Sequence, residues 1–421
     1  MTGPNVAVLA LTALLAVAPL SGSRAETPKP DIVVAAAGSG DFRTIQEAVN
    51  SIPRDNHQRT VVLIKDGVYK EKVRIDTACV TLRGQSRKGT CIEYSQLNTD
   101  FEKQPDDIGR AVVNVNGNDF VLENLTLANT AGIVGPHSFA IYGKADRTVI
   151  IDCDVLSEGA DTVSLWLSQI GRYYHARCHF RGGVDFVCPR GWCYVTDCTF
   201  YETKNTAAIW HDGRSDKAMK FVLRNCRFDG VAGWYLGRHH VDAQFYLLDC
   251  SFSSSMTNKP LARHVYRDDP KRNADLDKSN VWGERNYYYN CHRDGGDYSW
   301  HKDNLSFAPN SPAPEQITAA WTFAGKWNPE QVSGPVIQKV SQKNGQFEVA
   351  FNESVTVKGK PRLVLKSGGF ADYATGSGSN ALIFAPLTGN QSEVMRVDLQ
   401  GGAIIASEAA ATIRMANVAL H

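Results

Sequence analysis

The stretch Arg177-Cys178-His179-Phe180 decides the fold, because variants of it return along the middle of the chain. The other copies are Asp152-Cys153-Asp154-Val155, Asp197-Cys198-Thr199-Phe200, Asn225-Cys226-Arg227-Phe228 and Asp249-Cys250-Ser251-Phe252. Successive cysteines of this set are 25, 20, 28 and 24 residues apart. Each copy alternates polar and apolar residues, which is the pattern of a β-strand with one buried face. A strand that returns at this interval, with little helical periodicity between copies, predicts one coil of a parallel β-solenoid per copy.

The chain has ten cysteines, all between Cys79 and Cys291. Those of the repeat share one phase of the coil, which predicts an internal column of buried thiols, since free Cys is among the most buried residue types. One or more disulfides are the alternative in an exported chain. Cys188 and Cys193 lie off the shared phase and are the better candidates for a local disulfide.

The segments on either side of the repeat have different patterns. Residues 41–53 predict a short amphipathic helix, with Ile45, Ala48, Val49 and Ile52 at helical spacing, and a helix there would cap the open end of the solenoid core. Residues 306–314 have the Pro, Ser and Asn content of a linker. Residues 337–421 show short alternating strands between Gly-rich turns, the pattern of a small β-sandwich. We therefore predict an all-β chain, with a parallel β-helix over residues 26–330, a linker at 331–336 and a β-sandwich accessory domain that resembles Ig-like domains.

Residues 6–20 form the longest apolar run and are followed by Ser23-Arg24-Ala25, which has small residues at the two positions that signal peptidase reads. We interpret residues 1–25 as a signal peptide of a secreted protein, extracellular or periplasmic, with an uncleaved anchor as the alternative. Lys plus Arg number 45 and Asp plus Glu 44, so the net charge of +1 gives no reason to propose nucleic acid as a partner. We expect a monomer that does not associate with membranes once the signal is removed.

Two aspartates are placed by the repeat itself. Asp161 lies eight residues after Cys153, and Asp185 lies seven residues after Cys178, so both occupy nearly the same phase on adjacent coils. Two carboxylates that close cannot both ionise easily, so one pKa should rise while the other stays low. That pair would supply a proton donor and an anionic nucleophile together. The alternative is two aspartates in solvated turns.

A family resemblance adds to this spacing argument. The stretch Gly183-Val184-Asp185-Phe186-Val187-Cys188 resembles the Gly-x-Val-Asp-Phe-Ile-Phe-Gly signature of pectin methylesterases. Ala160-Asp161-Thr162 resembles the family's Gln-Asp-Thr, and Leu236-Gly237-Arg238 its Leu-Gly-Arg-Pro-Trp. Further matches at residues 38–49, 67–71 and 129–132 keep the family order over roughly residues 31–330. The resemblance implies a right-handed parallel β-helix that hydrolyses galacturonate methyl esters in pectin or a related polysaccharide, without a metal or other cofactor.

The resemblance also implies roles for three residues. Asp185 falls on the family's nucleophile, Asp161 on its acid/base, and Arg238 on the arginine that holds and orients the nucleophile. A guanidinium beside Asp185 would keep that carboxylate ionised through a charge-assisted bond. An ordinary surface arginine is the alternative for Arg238.

Several positions depart from the family pattern. Ala160 replaces a glutamine that stabilises the tetrahedral oxyanion, and the second such glutamine is replaced by His137 or, in another alignment, by Ser138. Loss of one oxyanion donor costs about 100- to 1000-fold in rate. Cys188-Pro189-Arg190 stands where Phe-Gly-Asn is usual, and His239-His240 where Pro-Trp is usual.

These departures supply the remaining candidate contacts with the oxyanion or the substrate. Trp166, Trp210 and Trp234 are candidate sugar-stacking platforms, and Trp234 is assigned to the column that carries the aspartates. An ordinary packing or surface role is the alternative for each candidate. The full candidate set is His137, Ser138, Trp166, Arg190, Trp234, His239 and His240.

Three functions remain open from the sequence. The first is an esterase that releases methanol from pectin, or an esterase for another pectic ester. The second is a non-catalytic pectin-binding module whose oxyanion hole was lost with Ala160. The third is a depolymerising β-helix enzyme, which the lack of a calcium-type cluster of acids beside the aspartate pair disfavours.

Overall fold

The computed structural model describes residues 30–168, 170–330, 337–365, 369–386, 394–398 and 403–406. The predicted signal peptide, residues 1–25, and the predicted linker, residues 331–336, lie outside the described residues.

Residues 32–293 form three parallel sheets, each built from one short strand per coil. The first sheet has ten strands: Ile32–Val34, Thr60–Ile64, Val80–Gly84, Val121–Glu123, Thr148–Ile151, Gly171–Ala176, Gly191–Thr196, Phe221–Arg224, Phe245–Leu248 and Asn286–Tyr289. The second has eight: Val73–Ile75, Val113–Val115, Ile141–Gly143, Val163–Leu165, Val187–Pro189, Ala207–His211, Tyr235–His239 and Ala262–Arg263. The third has nine: Gly67–Tyr69, Thr90–Tyr94, Thr126–Asn129, Asp154–Leu156, His179–Gly182, Thr199–Glu202, Arg227–Gly230, Ser251–Phe252 and His292–Arg293. The prediction of a parallel β-helix is confirmed.

The repeated phrase marks a corner of each coil rather than a strand alone. The residue before each repeat cysteine has a left-handed backbone, with φ of 55° at Asp152, 54° at Arg177 and 51° at Asn225. Asn and Asp tolerate this conformation better than most residues, which explains their recurrence there. The strand of the first sheet ends just before this residue, and the strand of the third sheet begins just after the cysteine.

Side chains in equal positions stack along the interior. Phe180, Phe200, Phe228 and Phe252 pair in register on successive coils, and the rings of Phe200 and Phe228 stack with centroids 4.3 Å apart. The repeat cysteines form a second buried column beside them. All ten cysteines are free, so the predicted thiol column is confirmed and a bridge between Cys188 and Cys193 is not formed. Cys188 lies in the second sheet and Cys193 in the first, which separates them.

The N-terminal end of the core is closed by a helix, as predicted, although it is shorter than residues 41–53. It spans Ile45–Asn50, and the side chain of Thr44 caps it by accepting a hydrogen bond from the amide of Glu47. Its apolar residues belong to the same buried cluster as the first coil.

Residues 299–330 cover the outer face of the first sheet. Leu305, Ala308, Ile317 and Phe323 are buried there against strand residues such as Tyr246. The interpretation of residues 306–314 as a linker is therefore wrong, because apolar residues within and beside this Pro- and Ser-rich stretch anchor it to the β-helix. The short helices outside the cap are Asn98–Lys103, Pro270–Asp277, Ser299–His301, Leu305–Phe307, Pro314–Gln316 and Ala319–Thr322.

The C-terminal part is antiparallel and has its own apolar core, which includes Phe347, Val349, Leu363 and Phe384. Its described strands join in one hydrogen-bonded network, in which the long second strand pairs with three others. These strands are Ile337–Lys343, Gln346–Lys358, Arg362–Leu365, Phe370–Thr375, Ser379–Pro386, Val394–Asp398 and Ala403–Ala406. The predicted antiparallel β-structure of the C-terminal part is thus present, and its division from the β-helix as an accessory domain stays a prediction.

Within the part of the chain that the structure describes, no helix is both long and apolar enough to cross a membrane.

Candidate active site

Asp161 and Asp185 occupy the same position on adjacent coils. The strands that follow them pair Val163 with Val187, two residues beyond each aspartate. The amide of Asp161 donates to the carbonyl of Val184 at 3.2 Å, so the two turns are hydrogen-bonded to each other. The adjacent-coil placement predicted from the spacing is confirmed.

Both aspartates lie in left-handed turns that lead into strands of the second sheet. Their φ angles are 59° at Asp161 and 52° at Asp185, and Val184 before Asp185 has φ of 67°. This conformation is a genuine outlier for a β-branched residue and persists only where the surroundings impose it. Both aspartates consequently lie at the N-terminal ends of two neighbouring central strands of the second sheet.

Arg238 clamps Asp185 from the strand Tyr235–His239. Its Nε lies 3.1 Å from both carboxylate oxygens of Asp185, and its Nη2 lies 2.8 Å from Oδ2. Burial raises the pKa of Asp185 to about 6, and the charge and hydrogen bonds of Arg238 act against that rise. This charge-assisted contact makes Asp185 the member of the pair that carries the negative charge.

Asp161 has neutral neighbours instead. Burial raises its pKa to about 6, and the hydrogen bonds of the Cys188 thiol and the Ser164 hydroxyl act against the rise. Ser164 Oγ lies 3.2 Å from Asp161 Oδ2. The expectation that one pKa rises while the other stays low is wrong, because burial raises the pKa of both carboxyl groups to about 6. Because Arg238 binds Asp185 directly, its charge favours ionisation of Asp185 over that of Asp161.

Glu202 supports the turn that carries Asp185, and the sequence analysis missed it. Its side chain is completely buried, and its Oε1 accepts hydrogen bonds from the amides of Val184 at 3.3 Å and Lys204 at 2.9 Å. Burial raises the pKa of Glu202 to about 9, so this acid is neutral near pH 7. Its position, two residues after the inward-facing Phe200, is the sequence signal that could have revealed it.

The two candidates for the missing oxyanion donor differ in how much of each residue is exposed to solvent. His137 pairs with Ala160 on the next coil, its side chain is 56% exposed, and its Nε2 lies 3.9 Å from Asp161 Oδ1. Burial lowers the pKa of His137, which leaves a neutral imidazole that can donate an N–H bond. Ser138 is only 1% exposed and its hydroxyl contacts Ser157, so His137 is the better placed of the two candidates.

Two more candidates turn into the interior. The register pairs Ala207 with Tyr235, which places Tyr235 and not Trp234 in the column of the aspartates. Trp234 is fully buried and its Nε1 contacts Ser255 Oγ, so its assignment as a sugar platform is wrong. His239 is also buried, bonded to the Val241 carbonyl, and its assignment as a substrate contact is wrong as well.

A cavity of about 420 Å³ lies at the C-terminal ends of the strands that Asp161 and Asp185 precede, and the residues that line it include three cations and no acid. The guanidinium of Arg190 lies 3.7 Å from the ring centroid of Trp166 and 5.1 Å from that of Trp210. Trp210 is buried, so Trp166 is the tryptophan that lines the cavity. The lining residues are Tyr142, Lys144, Trp166, Ser168, Arg190 and Arg214.

His240 is half-buried beside this region, with its Nε2 3.1 Å from the hydroxyl of Tyr266 and its ring against Trp210. Burial and the nearby Arg238 lower its pKa to about 3, so its ring is neutral. The described residues hold no group of three or more His, Cys, Asp or Glu side chains placed to bind a metal ion.

The neutral state of Glu202 leads to a prediction about stability. The folded-state pKa of about 9 lies above the ordinary value of 4.5, so the folded protein binds the extra proton and the free energy of unfolding falls as pH rises across that interval. Glu202→Gln removes this slope. The slope is about 1.4 kcal/mol per pH unit above pH 4.5, so we expect the variant to gain roughly 5 kcal/mol over the wild type at pH 8 and almost nothing at pH 4.

Urea unfolding followed by tryptophan fluorescence measures this in the β-helix alone, because all eight tryptophans precede residue 330. Glu315→Gln, at an exposed glutamate, is the matched control. An equal pH slope in Glu202→Gln and the wild type would show that Glu202 is ionised in the folded state.

A family model described as Pectinesterase matches residues 31–247, just over half of the chain. A probable pectinesterase/pectinesterase inhibitor of Arabidopsis thaliana is 33% identical over 228 residues, 50% of this chain and 39% of the relative. A pectinesterase of Petunia integrifolia is 30% identical over 207 residues, 47% of this chain and 53% of the relative. The chain thus spans about half or less of the length of these relatives.

Among solved structures, a pectin methylesterase from carrot superimposes with a TM-score of 0.56 at 22% identity, covering 72% of this chain and 96% of that one. This likeness concerns the fold and identifies it as a right-handed parallel β-helix. Because the family model spans more than half of the chain, the chain belongs to the pectinesterase family.

Proposed function

We propose that this protein is a carbohydrate esterase that hydrolyses methyl esters of galacturonate in pectin or a related polysaccharide and releases methanol. The observation that carries the proposal is the asymmetric pair, with Asp185 held by Arg238 and Asp161 on the next coil among neutral neighbours. The proposal places the enzyme outside the cytoplasm, where such polymers occur, with residues 1–25 as its export signal.

In the first half of the reaction, a carboxylate oxygen of Asp185 attacks the ester carbonyl carbon and forms a tetrahedral oxyanion. The carbon–oxygen bond to the methoxy group then breaks, and Asp161 gives its proton to the departing oxygen, so that methanol leaves. The acyl group remains joined to Asp185 as an anhydride, and Asp161 is now ionised. Arg238 serves this step because it keeps Asp185 anionic in a buried site and holds it in one orientation.

In the second half, Asp161 removes a proton from water, and the resulting hydroxide oxygen attacks the acyl carbon. The bond to Asp185 breaks, the galacturonate carboxyl is released, and Asp161 is protonated again. One residue thus acts as acid and then as base, which suits a pKa near 6.

The oxyanion needs a donor that Ala160 cannot provide. We assign this role to His137, which pairs with Ala160 across one inter-coil step and reaches the same carboxyl that protonates methanol. Its lowered pKa keeps the ring neutral, so that it donates a hydrogen bond without binding Asp185 as a competing cation.

The cationic cavity supports an anionic polymer as the substrate. The chain's net charge is only +1, so the attraction must be local, and Lys144, Arg190 and Arg214 provide it beside the reacting pair. The exposed face of Trp166 can stack on a sugar ring. A non-catalytic pectin-binding module is the second candidate function, and the altered oxyanion donors are the observation in its favour.

We predict that Asp185→Asn and Asp161→Asn each lower kcat for methanol release by roughly 10⁴-fold, because each removes one half of the acid–nucleophile pair. Methanol is measured enzymatically on a panel of methylated pectins, including branched rhamnogalacturonans. Asp197→Asn is the matched control, since Asp197 has the same left-handed backbone, with φ of 54°, at an outer corner. Undiminished turnover by Asp185→Asn rules out this nucleophile, and tight binding without turnover by the wild type supports the binding module.

We predict that His137→Ala lowers kcat by about 100-fold with little change in KM, because the donor acts on the oxyanion and not on bound substrate. His137→Gln should recover much of the rate, since its amide restores an N–H donor. Equal rates for His137→Ala and the wild type would mean that another group stabilises the oxyanion.

We predict that Arg190→Ala raises KM for partly methylated pectin by about tenfold at low salt and leaves kcat within about threefold. The increase should shrink in high salt, because salt already screens the lost attraction. Arg54→Ala, at the capped end of the β-helix and exposed, is the control. A KM that does not respond to Arg190→Ala would exclude the cavity from substrate binding.

A further inference from the structure

Two neutral side chains connect Asp161 to the backbone of the second sheet. Ser164 and Cys188 are paired in register on adjacent strands, and both are buried. Ser164 Oγ lies 3.2 Å from Asp161 Oδ2 and 3.0 Å from Cys188 Sγ. Cys188 Sγ in turn lies 3.5 Å from the carbonyl oxygen of Val163. The three side chains and this carbonyl form a continuous hydrogen-bonded path.

The hydrogens in this path can be arranged in two ways. When Asp161 is ionised, the Ser164 hydroxyl donates to the carboxylate, and the Cys188 thiol donates either to Ser164 or to the carboxylate directly. When Asp161 is protonated, its own O–H donates to Ser164, the Ser164 hydroxyl donates to the sulfur, and the thiol donates to the Val163 carbonyl. Each group then has a partner in both states, because a hydroxyl both donates and accepts, and a thiol does so weakly.

We propose that Ser164 and Cys188 are positioning residues that form a reversible hydrogen-bond relay, which lets Asp161 alternate between acid and base without leaving a buried polar group unpaired. This inference rests on the acid/base role assigned to Asp161 under the proposed function. No proton passes along the relay. The O–H and S–H bonds only rotate, while the catalytic proton moves between Asp161 and the methoxy oxygen or water.

The relay matters because the site excludes most water. An unpaired donor or acceptor in such a place costs as much as or more than a typical hydrogen bond contributes. A fixed donor, such as a backbone amide, would stabilise only the ionised form of Asp161 and would weaken it as an acid. A group whose hydrogen rotates serves both halves of the reaction.

Apart from the Cys188 thiol itself, the charged and titratable groups around Asp161 are the same in the Ser164 and Cys188 variants proposed below. Asp185 lies on the next coil, Arg238 and Arg190 act on Asp161 through their charges, His137 lies 3.9 Å away, and the Tyr142 phenol faces it from the preceding coil. Differences between variants therefore report on Ser164 and Cys188.

The first experiment measures kcat/KM for methanol release against pH. Ser164→Ala removes the O–H donor to the carboxylate, so the pKa of Asp161 rises and the basic limb of the profile should move up by about one pH unit. Cys188→Ala removes one hydrogen-bond partner from both the ionised and the protonated arrangement around Asp161, and should lower kcat/KM by about tenfold. Cys188→Ser keeps a donor and an acceptor at this position and should stay within about threefold of the wild type.

Cys193→Ala is the matched control, because Cys193 is an equally buried thiol that faces the core of the first sheet. It should lower stability and leave the pH profile in place. A Cys188→Ser variant as slow as Cys188→Ala, or a basic limb unmoved in Ser164→Ala, would overturn the relay.

The second experiment does not depend on activity. Infrared difference spectra between low and high pH report the S–H stretching band, which shifts when the acceptor of a thiol changes. We expect one pH-dependent S–H band in the wild type, absent in Cys188→Ser and insensitive to pH in Asp161→Asn. If the wild type releases no methanol, the proposed function fails. The S–H band still tests whether the relay exists, because it does not depend on turnover. A band that ignores pH in the wild type would refute it.

Discussion

The ladder of backbone hydrogen bonds between successive coils is the constraint on which the rest of this structure depends. It forces residues in equal positions to lie one strand spacing apart, whatever their chemistry. In the interior that spacing suits phenylalanine rings and thiols, which stack into columns. At the N-terminal ends of two neighbouring strands of the second sheet, the same spacing brings two carboxyl groups together, although their negative charges repel each other. The proximity of the two carboxyl groups is thus a consequence of the fold, stabilised locally by Arg238.

How well the sequence predicts this structure depends on how accurately the position of each residue within its coil can be counted. The cysteine repeat predicts the coil, and counting from Cys153 and Cys178 places the two aspartates correctly on adjacent coils. The two counts, eight and seven residues, differ by one, and a difference of one residue still leaves the aspartates next to each other. The predicted direction of a side chain, by contrast, is reversed when the count is wrong by one residue. Trp234 was assigned to the aspartate column, but Tyr235 occupies it, and the one-residue difference turns the indole into the core. The left-handed corners are the cause, since each one breaks the simple alternation on which the count relies.

The residues that the sequence analysis missed act through contacts between coils. Ser164 and Glu202 carry no motif of their own, and their contacts appear only when the register is known. Cys188 lies within the family signature, where the sequence shows only that it replaces an aromatic residue. Its meaning depends on Ser164, which lies 24 residues earlier and directly beside it.

Glu202 shows why a buried acid can serve a site that already has an excess of carboxyl groups. The left-handed turn at Val184 and the next turn at Lys204 direct two amide N–H groups to one buried point. An apolar side chain there would leave both donors without partners, at a cost of roughly 1–3 kcal/mol each. An ionised carboxylate would satisfy them but would add a negative charge beside Asp185. A protonated carboxyl accepts both bonds through Oε1 and adds no charge, while its buried Oε2 has no hydrogen-bond partner among the described residues. The strained turn that carries Asp185 is therefore held by an acid that adds no charge to the site while it is neutral.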